Sequence, residues 1–448
     1  MLLNAGIAFE KLEEAENEIF LQLDEMKKGN ISIHAQNIMP VIKKWLYSDK
    51  DIFVRELVSN ACDAISKYKL LALKGSVEAD EYRVDVTCNK EQGTLTITGS
   101  GAMDDFEDGG APWEEYKDEI RRVVLSGSIS YIGDYAFYNY SAMLSVTIPA
   151  NIKSIGKDAF SGCDGLSKVN IEDVAAWCKI EFATALSNPL SIAGTLLVNG
   201  VSLTTLSLEG VDSISPRAFQ GCNNIASLRS DSSLRSIGEE AFRGSLSLSS
   251  VELGEGVTTI EGKAFMGCAA LKSITIPDSV TAIGVYAFGY CRNLTSVTIG
   301  KGVTSIGYAA FCDCSNLKAF YGKFASADNC YLVVNGVLHS FAIGCGATEF
   351  TVPNSVSEIG NSAFYNCRNL TSVTIGNSVA VIGASAFYDC SNLTEVYCKP
   401  TIPPTGGYNM FNNNAADRKI YVPAESLDAY KNHEQWSQYA DKIEKLQN

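Results

Sequence analysis

An isoleucine followed five positions later by a phenylalanine recurs along most of this chain, and the spacing between successive copies is 23 residues wherever the run is unbroken. Ile132, Ile155, Ile237, Ile283, Ile306, Ile359 and Ile382 are each followed by Gly and then by the Phe, while Ile214 with Phe219 and Ile260 with Phe265 keep the spacing without the Gly. Nine such units are visible. A unit this short cannot bury its own apolar face, so it must stack on its neighbours.

A period in the twenties is the mark of a leucine-rich-repeat solenoid. In residues 294–316, Leu294, Val297 and Ile299 form an L-x-x-V-x-I strand with its apolar side chains inward, and Val303, Ile306, Ala310, Phe311 and Cys314 complete the inward set. Gly300, Gly302 and Gly307 are expected to supply positive φ at tight corners. Stacked strands about 4.8 Å apart should build one long parallel sheet on one face. The fold class is therefore α/β in name but β-rich, a 23-residue-repeat solenoid preceded by a small N-terminal fragment of helices and strands.

Seven of the 14 cysteines (Cys163, Cys222, Cys268, Cys291, Cys314, Cys367 and Cys390) occupy one slot, three residues past the Phe. Ser245 and Tyr140 fill the same slot, so packing sets it, and the series reads as a ladder of reduced core thiols rather than a disulfide framework. With no C-x-x-C pair and only three His, no zinc-ligand set can be assembled.

Two interruptions stretch the period. Ile155 to Ile214 spans 59 residues and Ile306 to Ile359 spans 53, and each interruption contains an Asn-Gly pair, Asn199-Gly200 and Asn335-Gly336. Asn-Gly between apolar runs is the strongest short hairpin signal, so insertions near 172–205 and 321–350 are expected to project a β-hairpin from the side of the stack.

The net charge is −15, and no basic stripe offsets it, so a phosphate backbone is repelled and nucleic acid is not a partner. No run of about 18 apolar residues is present, so no membrane span is expected. The N-terminus has neither a basic start nor a sustained apolar stretch, and on that ground the chain is expected to be cytoplasmic as written.

The phrases SVTIP, SVTIG, VTSIG and AFYDCSNLTEV resemble the BspA-like leucine-rich-repeat family over about residues 98–448. Residues 101–125 resemble that family's N-terminal cap and 396–444 its C-terminal cap, in which Tyr421 to Pro423 would close the sheet and Ala424 to Lys431 would form a short covering helix. The resemblance implies a binding or adhesion module without catalysis, usually at the cell surface or secreted, engaging a protein or glycan ligand.

About residues 28–97 resemble something else. The string DIFVRELVSNACDA is similar to the first nucleotide-binding helix of the ninety-kilodalton heat-shock chaperones, and YRVDVTCNKEQGTLTI to their next strand pair. Carried over by position, Glu56 would match the general base and Asn60 the magnesium-holding residue, with ATP and magnesium as cofactors. The family's adenine-binding Asp falls at Gly99, and no glycine-rich lid follows, so neither a purine anchor nor water exclusion is available. The chain therefore reads as a chimera: a truncated chaperone segment (1–97), an N-terminal cap (98–119), the solenoid (120–398) and a C-terminal cap (399–448). No cofactor is expected outside the ATP-binding chaperone reading, which is the alternative function. An unrelated enzyme finds no nucleophile elbow, metal cluster or P-loop to rest on.

Two surfaces compete as the binding face. The outward strand positions carry hydroxyls, among them Thr275, Thr298 and Thr374, which suit a β-sheet in any case. Beside the Phe slot recur tyrosines, including Tyr286, Tyr308, Tyr365 and Tyr388. Tyr is enriched at binding hot spots and Thr is not, which favours the tyrosine edge.

Overall fold

The computed structural model describes residues 85–89 and 92–447. Each regular rung lays down two short parallel strands. In the first, Ser296–Ile299, Val297 and Ile299 point inward, and Val297 stands opposite Ile274 of the rung before and Phe320 of the rung after. The second is the Ile of the repeat with the residue before it, and it forms a column through Ile214, Ile237, Ile260, Ile283 and Ile306.

The one long sheet expected from the strand motif is thus corrected to two ladders per rung, divided among six sheets in the described residues. The physical reason lies in the Ile-Gly pair. Gly300, Gly302 and Gly307 do not take positive φ; a Cβ on Gly300 would lie 2.2 Å from the Pro277 carbonyl oxygen, on Gly302 2.1 Å from that of Asp278, and on Gly307 2.4 Å from Val285 N. These glycines let successive backbones approach. The left-handed positions fall instead in two columns, the first on Tyr135, Asp158, Arg217, Glu240, Lys263, Tyr286, Ala309, Ser362 and Ser385, and the second four residues further on in each rung, from Asn139 to Asp389.

Phenylalanine forms the spine. Phe219, Phe242, Phe265, Phe288 and Phe311 stack at 5.1 to 5.5 Å between ring centroids, nearly parallel. All are buried, and each such ring contributes about 1.5–3 kcal/mol of apolar burial. The cysteine ladder runs beside it. Cys268, Cys291 and Cys314 donate Sγ–H to the carbonyls of Phe242, Phe265 and Phe288 at 3.2 Å. Ser245 Oγ makes the same bond to Phe219 O at 3.0 Å, which is why a hydroxyl can fill a thiol's slot.

Both Asn-Gly turns form, with positive φ at both central residues. Neither hairpin simply projects, because one arm of each is itself a rung. Leu196–Val198 continues the first ladder from Val169–Ile171 before turning back to Val201–Ser202. Val337–Phe341 pairs back on Tyr331–Val334 and sets Leu338 opposite Ile359. In the first interruption Trp177 is buried edge-to-face against Phe182 at 5.5 Å, and its indole N–H donates to Ala218 O at 2.8 Å. The seam is closed by Asn224, whose amide N donates to Leu196 O and Leu203 O and whose Oδ1 accepts from Leu196 N. An apolar ladder cannot supply these bonds; a side-chain amide can.

At the N-terminal end, strand β1 (Asp85–Asn89) pairs antiparallel with β2 (Thr94–Ala102), and β2 pairs parallel with β3 (Arg122–Ile132). β2 runs through positions 97 and 98 without a break, and Leu95 and Ile97 are buried in the same cluster as the repeats. Trp113 stacks on Phe137 at 5.5 Å and donates to Ala136 O. At the other end Lys419–Val422 adds a strand, and Ala424–Ser426 and Leu427–Asn432 form the short helical cover. Trp436 lies 5.8 Å from Phe411 and donates to Pro404 O.

Candidate binding surfaces

The turn edge runs beside the left-handed columns, and of its four candidate tyrosines Tyr286 stands on one. Tyr286 sits at φ 53, and its backbone N–H is held by Tyr308 O of the next rung at 3.2 Å. The backbone therefore fixes where the ring starts. Tyr286 meets Tyr308 edge-to-face at 5.6 Å and stacks against Tyr290 at 6.4 Å. Tyr308 is half exposed, at 51%, while Tyr286 and Tyr290 are half-buried. Beyond the second interruption a further tyrosine pair follows, with Tyr365 and Tyr388 stacked at 5.5 Å. Burial pushes the phenols of Tyr286, Tyr290 and Tyr365 up, that of Tyr365 to about 12, so all stay protonated donors at neutral pH.

The structure thus brings Tyr286 and Tyr308 into one cluster and Tyr365 and Tyr388 into another, separated by the second interruption. The threonine column lies on the first ladder. Thr275 pairs with Thr298 and Thr298 with Tyr321; Thr351 pairs with Thr374 and Thr374 with Tyr397. Tyr397 in turn stacks on Tyr421 at 5.1 Å. The sheet face is therefore not only hydroxyl: Tyr321, Tyr397 and Tyr421 stand where threonine stands in other rungs. Reading the Thr slot through the irregular rungs would have found them. Another set of threonines is structural. Thr258, Thr281, Thr304, Thr371 and Thr394 donate Oγ–H to the carbonyl of the residue 23 positions earlier at 3.0 to 3.2 Å, stitching rung to rung.

Glu56 and Asn60 lie outside the described residues. Gly99 sits within β2, paired with Gly127; a Cβ on Gly127 would lie 2.4 Å from Gly99 O, so the two strands are at closest approach there. Among the described residues no group of His, Cys, Asp or Glu is placed to hold a metal ion, and no helix is long and apolar enough to cross a membrane.

Two-ladder rungs at a 23-residue pitch around a phenylalanine spine define a leucine-rich-repeat solenoid. The model of the BspA-type leucine-rich repeat region matches residues 115–184, 192–318 and 339–433, well over half of the chain. The chain belongs to that family. A leucine-rich cell surface protein of Faecalibacterium prausnitzii is similar at 22% identity, covering 78% of this chain and 90% of that one, with a TM-score of 0.48. A leucine-rich repeat protein of Bacteroides ovatus matches at 20% identity over 83% of this chain and all of its own length, with a TM-score of 0.42.

A second likeness is to the chaperone HtpG. The Bacteroides thetaiotaomicron protein is 36% identical over 164 residues, 33% of this chain, and the Porphyromonas gingivalis protein 34% identical over 163. This chain spans about a quarter of the length of these curated relatives, 23% in both cases. The matched third of the chain is longer than residues 28–97 alone.

Proposed function

We propose that the chain is a non-catalytic interaction or adhesion module that grips a protein ligand through its tyrosine turn edge. The observation that carries this reading is the pair of tyrosine clusters, Tyr286 with Tyr308 and Tyr365 with Tyr388, the first tied across rungs by Tyr286 N–H to Tyr308 O. Rigid aromatic rings with few rotors lose little entropy on binding, and Tyr dominates interface hot spots where Thr does not. The family's surface setting makes an extracellular protein or glycan the natural partner class. In this reading the chaperone-like segment is a remnant without ATPase activity.

The test is an array of extracellular proteins and glycans probed with the intact chain, followed by two variants that keep the parent circular dichroism. Joint replacement of Tyr286, Tyr308, Tyr365 and Tyr388 by Ser should weaken capture more than joint replacement of Thr275, Thr298 and Thr374 by Val. If the threonine set alone abolished capture, the sheet face would be the site and the edge reading would fall.

The alternative, an ATP-binding chaperone-like protein, is favoured by the HtpG likeness itself. A rise in melting temperature with ATP and magnesium, lost in Asn60→Ala, would support it.

A further inference from the structure

The turns after Phe288, Phe311 and Phe364 place Arg292, Ser315 and Arg368 in one column, four residues past each ring. The rung between Phe311 and Phe364 belongs to Phe341, which stacks on Phe364 at 5.0 Å, and its turn departs from the others. Ile343–Cys345 winds into a single 3-10 turn. Gly344 N donates to Leu317 O at 2.7 Å, and a Cβ on Gly344 would lie 3.0 Å from the main chain of Asn316. The turn is drawn inward, so the edge of the solenoid is missing one step. What remains is a cavity of about 460 Å³, floored by Ile343 and Gly344 and walled by the polar turns on either side.

The walls are built. Asn366 Nδ2 donates to Asp313 Oδ1 at 2.6 Å across the gap, and Arg368 Nε donates to Asn366 Oδ1 at 2.7 Å. Arg292 reaches Asp313 Oδ2 at 3.4 Å with a side chain that is 67% exposed. A guanidinium carries five donors in a planar fork, and these contacts use one on each arginine. Asp313 is buried and already committed to both partners. Two guanidiniums against one carboxylate leave the notch cationic in a chain of net charge −15. Ser315 and Asn369 add a hydroxyl and an amide to the lining.

The geometry points to a site for one carboxylated sugar, a uronic-acid unit of a glycan. The arginine forks take the carboxylate, bidentate pairing being their preferred geometry, and the amides and hydroxyl take the ring hydroxyls. The volume falls in the range of small-ligand pockets. This deepens the binding-module reading and rests on it, while placing a second ligand contact beside the tyrosine edge, with Asn366 next to Tyr365 in the chain and Arg292 two residues past Tyr290.

The experiment is a calorimetric titration of the full chain with trigalacturonate, its methyl ester, maltotriose and a triglutamate peptide, in parent and R292Q/R368Q forms checked by circular dichroism. Saturable binding of trigalacturonate, weakened at least about tenfold in the double variant and absent for the ester and maltotriose, is the expected result. Equal binding by the double variant, equal binding of the ester, or binding of triglutamate in place of the uronate would overturn it, as would no saturable binding of trigalacturonate. If a protein captured by the array still bound R292Q/R368Q while trigalacturonate bound neither form, the tyrosine edge would stand and the sugar notch would fall.

Discussion

The thiol of Cys291 donates to the main-chain carbonyl of Phe265, one rung earlier, at 3.2 Å. That carbonyl also accepts from Cys268 N, so the thiol provides the second bond to a buried oxygen. Cys291 is fully buried, and burial pushes its pKa up to about 12, which leaves it a donor and not a nucleophile.

A graded mutation series follows from this arrangement. Cys291→Ser should be nearly neutral, since Ser245 makes the same bond. Cys291→Val should cost about 1 kcal/mol, the net worth of one buried hydrogen bond. Phe288→Ala removes a ring stacked on both sides and should cost about 3–5 kcal/mol. Chemical denaturation orders the three, and a Phe288 variant as stable as the parent would remove the spine from the account.

The strand shared with the chaperone-like segment should behave as solenoid core. Leu95 is fully buried and stands opposite Val123, so Leu95→Ala should cost about 2–5 kcal/mol. Limited proteolysis should then cut first between residues 85 and 132. Unchanged stability would mean that β2 is an ornament on the first rung.

Acid should weaken the second interruption through His339. Burial lowers its pKa from 6.5 to about 4. Unfolding restores the ordinary value, so between pH 6.5 and pH 4 the unfolded chain binds a proton the folded chain refuses, and stability falls as pH falls through that window. The loss is at most about 3 kcal/mol. Melting curves at pH 7 and pH 4.5 should converge more closely for His339→Gln than for the parent; an identical pH dependence would contradict this.

No steady-state ATP turnover above background is expected on the reading that Gly99 takes the position of the chaperones' adenine-binding Asp. Turnover that vanished in Glu56→Ala would show the segment to be a working ATPase.

Much of this fold is legible in the sequence because packing repeats: a Phe that must stack on a Phe every 23 residues leaves a one-dimensional signal. Ser245 in a cysteine slot even reveals the hydrogen bond behind the slot. The second ladder is hidden because a two-residue strand has no periodicity of its own, and its glycines serve close approach where a turn reading looks for positive φ. Trp177 is hidden for the opposite reason. It is buried edge-to-face on Phe182 and bonded through its indole N–H to Ala218 O, so the core continues through the interruption with a residue type and spacing that the repeat does not encode. At the binding surfaces Tyr286 and Tyr308 could be found from their slot, but Tyr321 and Tyr397 replace threonine in rungs of irregular length. The Arg292–Arg368 notch depends on a turn folding inward at Gly344, which no local spacing encodes.

The first left-handed column has one more consequence. At Arg217, Glu240, Lys263, Tyr286 and Ser362 the backbone N–H is bound by the adjacent rung regardless of the side chain, and a cation, an anion, an aromatic ring and a hydroxyl all occupy the same unusual φ. Conformation there is imposed by the stack, and the side chain is left to serve other ends: Glu240 is buried among Arg217, Arg243 and Lys263, while the others of this set are partly exposed. Where its residue reaches the surface, as at Arg217, Lys263, Tyr286 and Ser362, the column works like interchangeable type set in a fixed frame, and a new surface can be written there one substitution at a time.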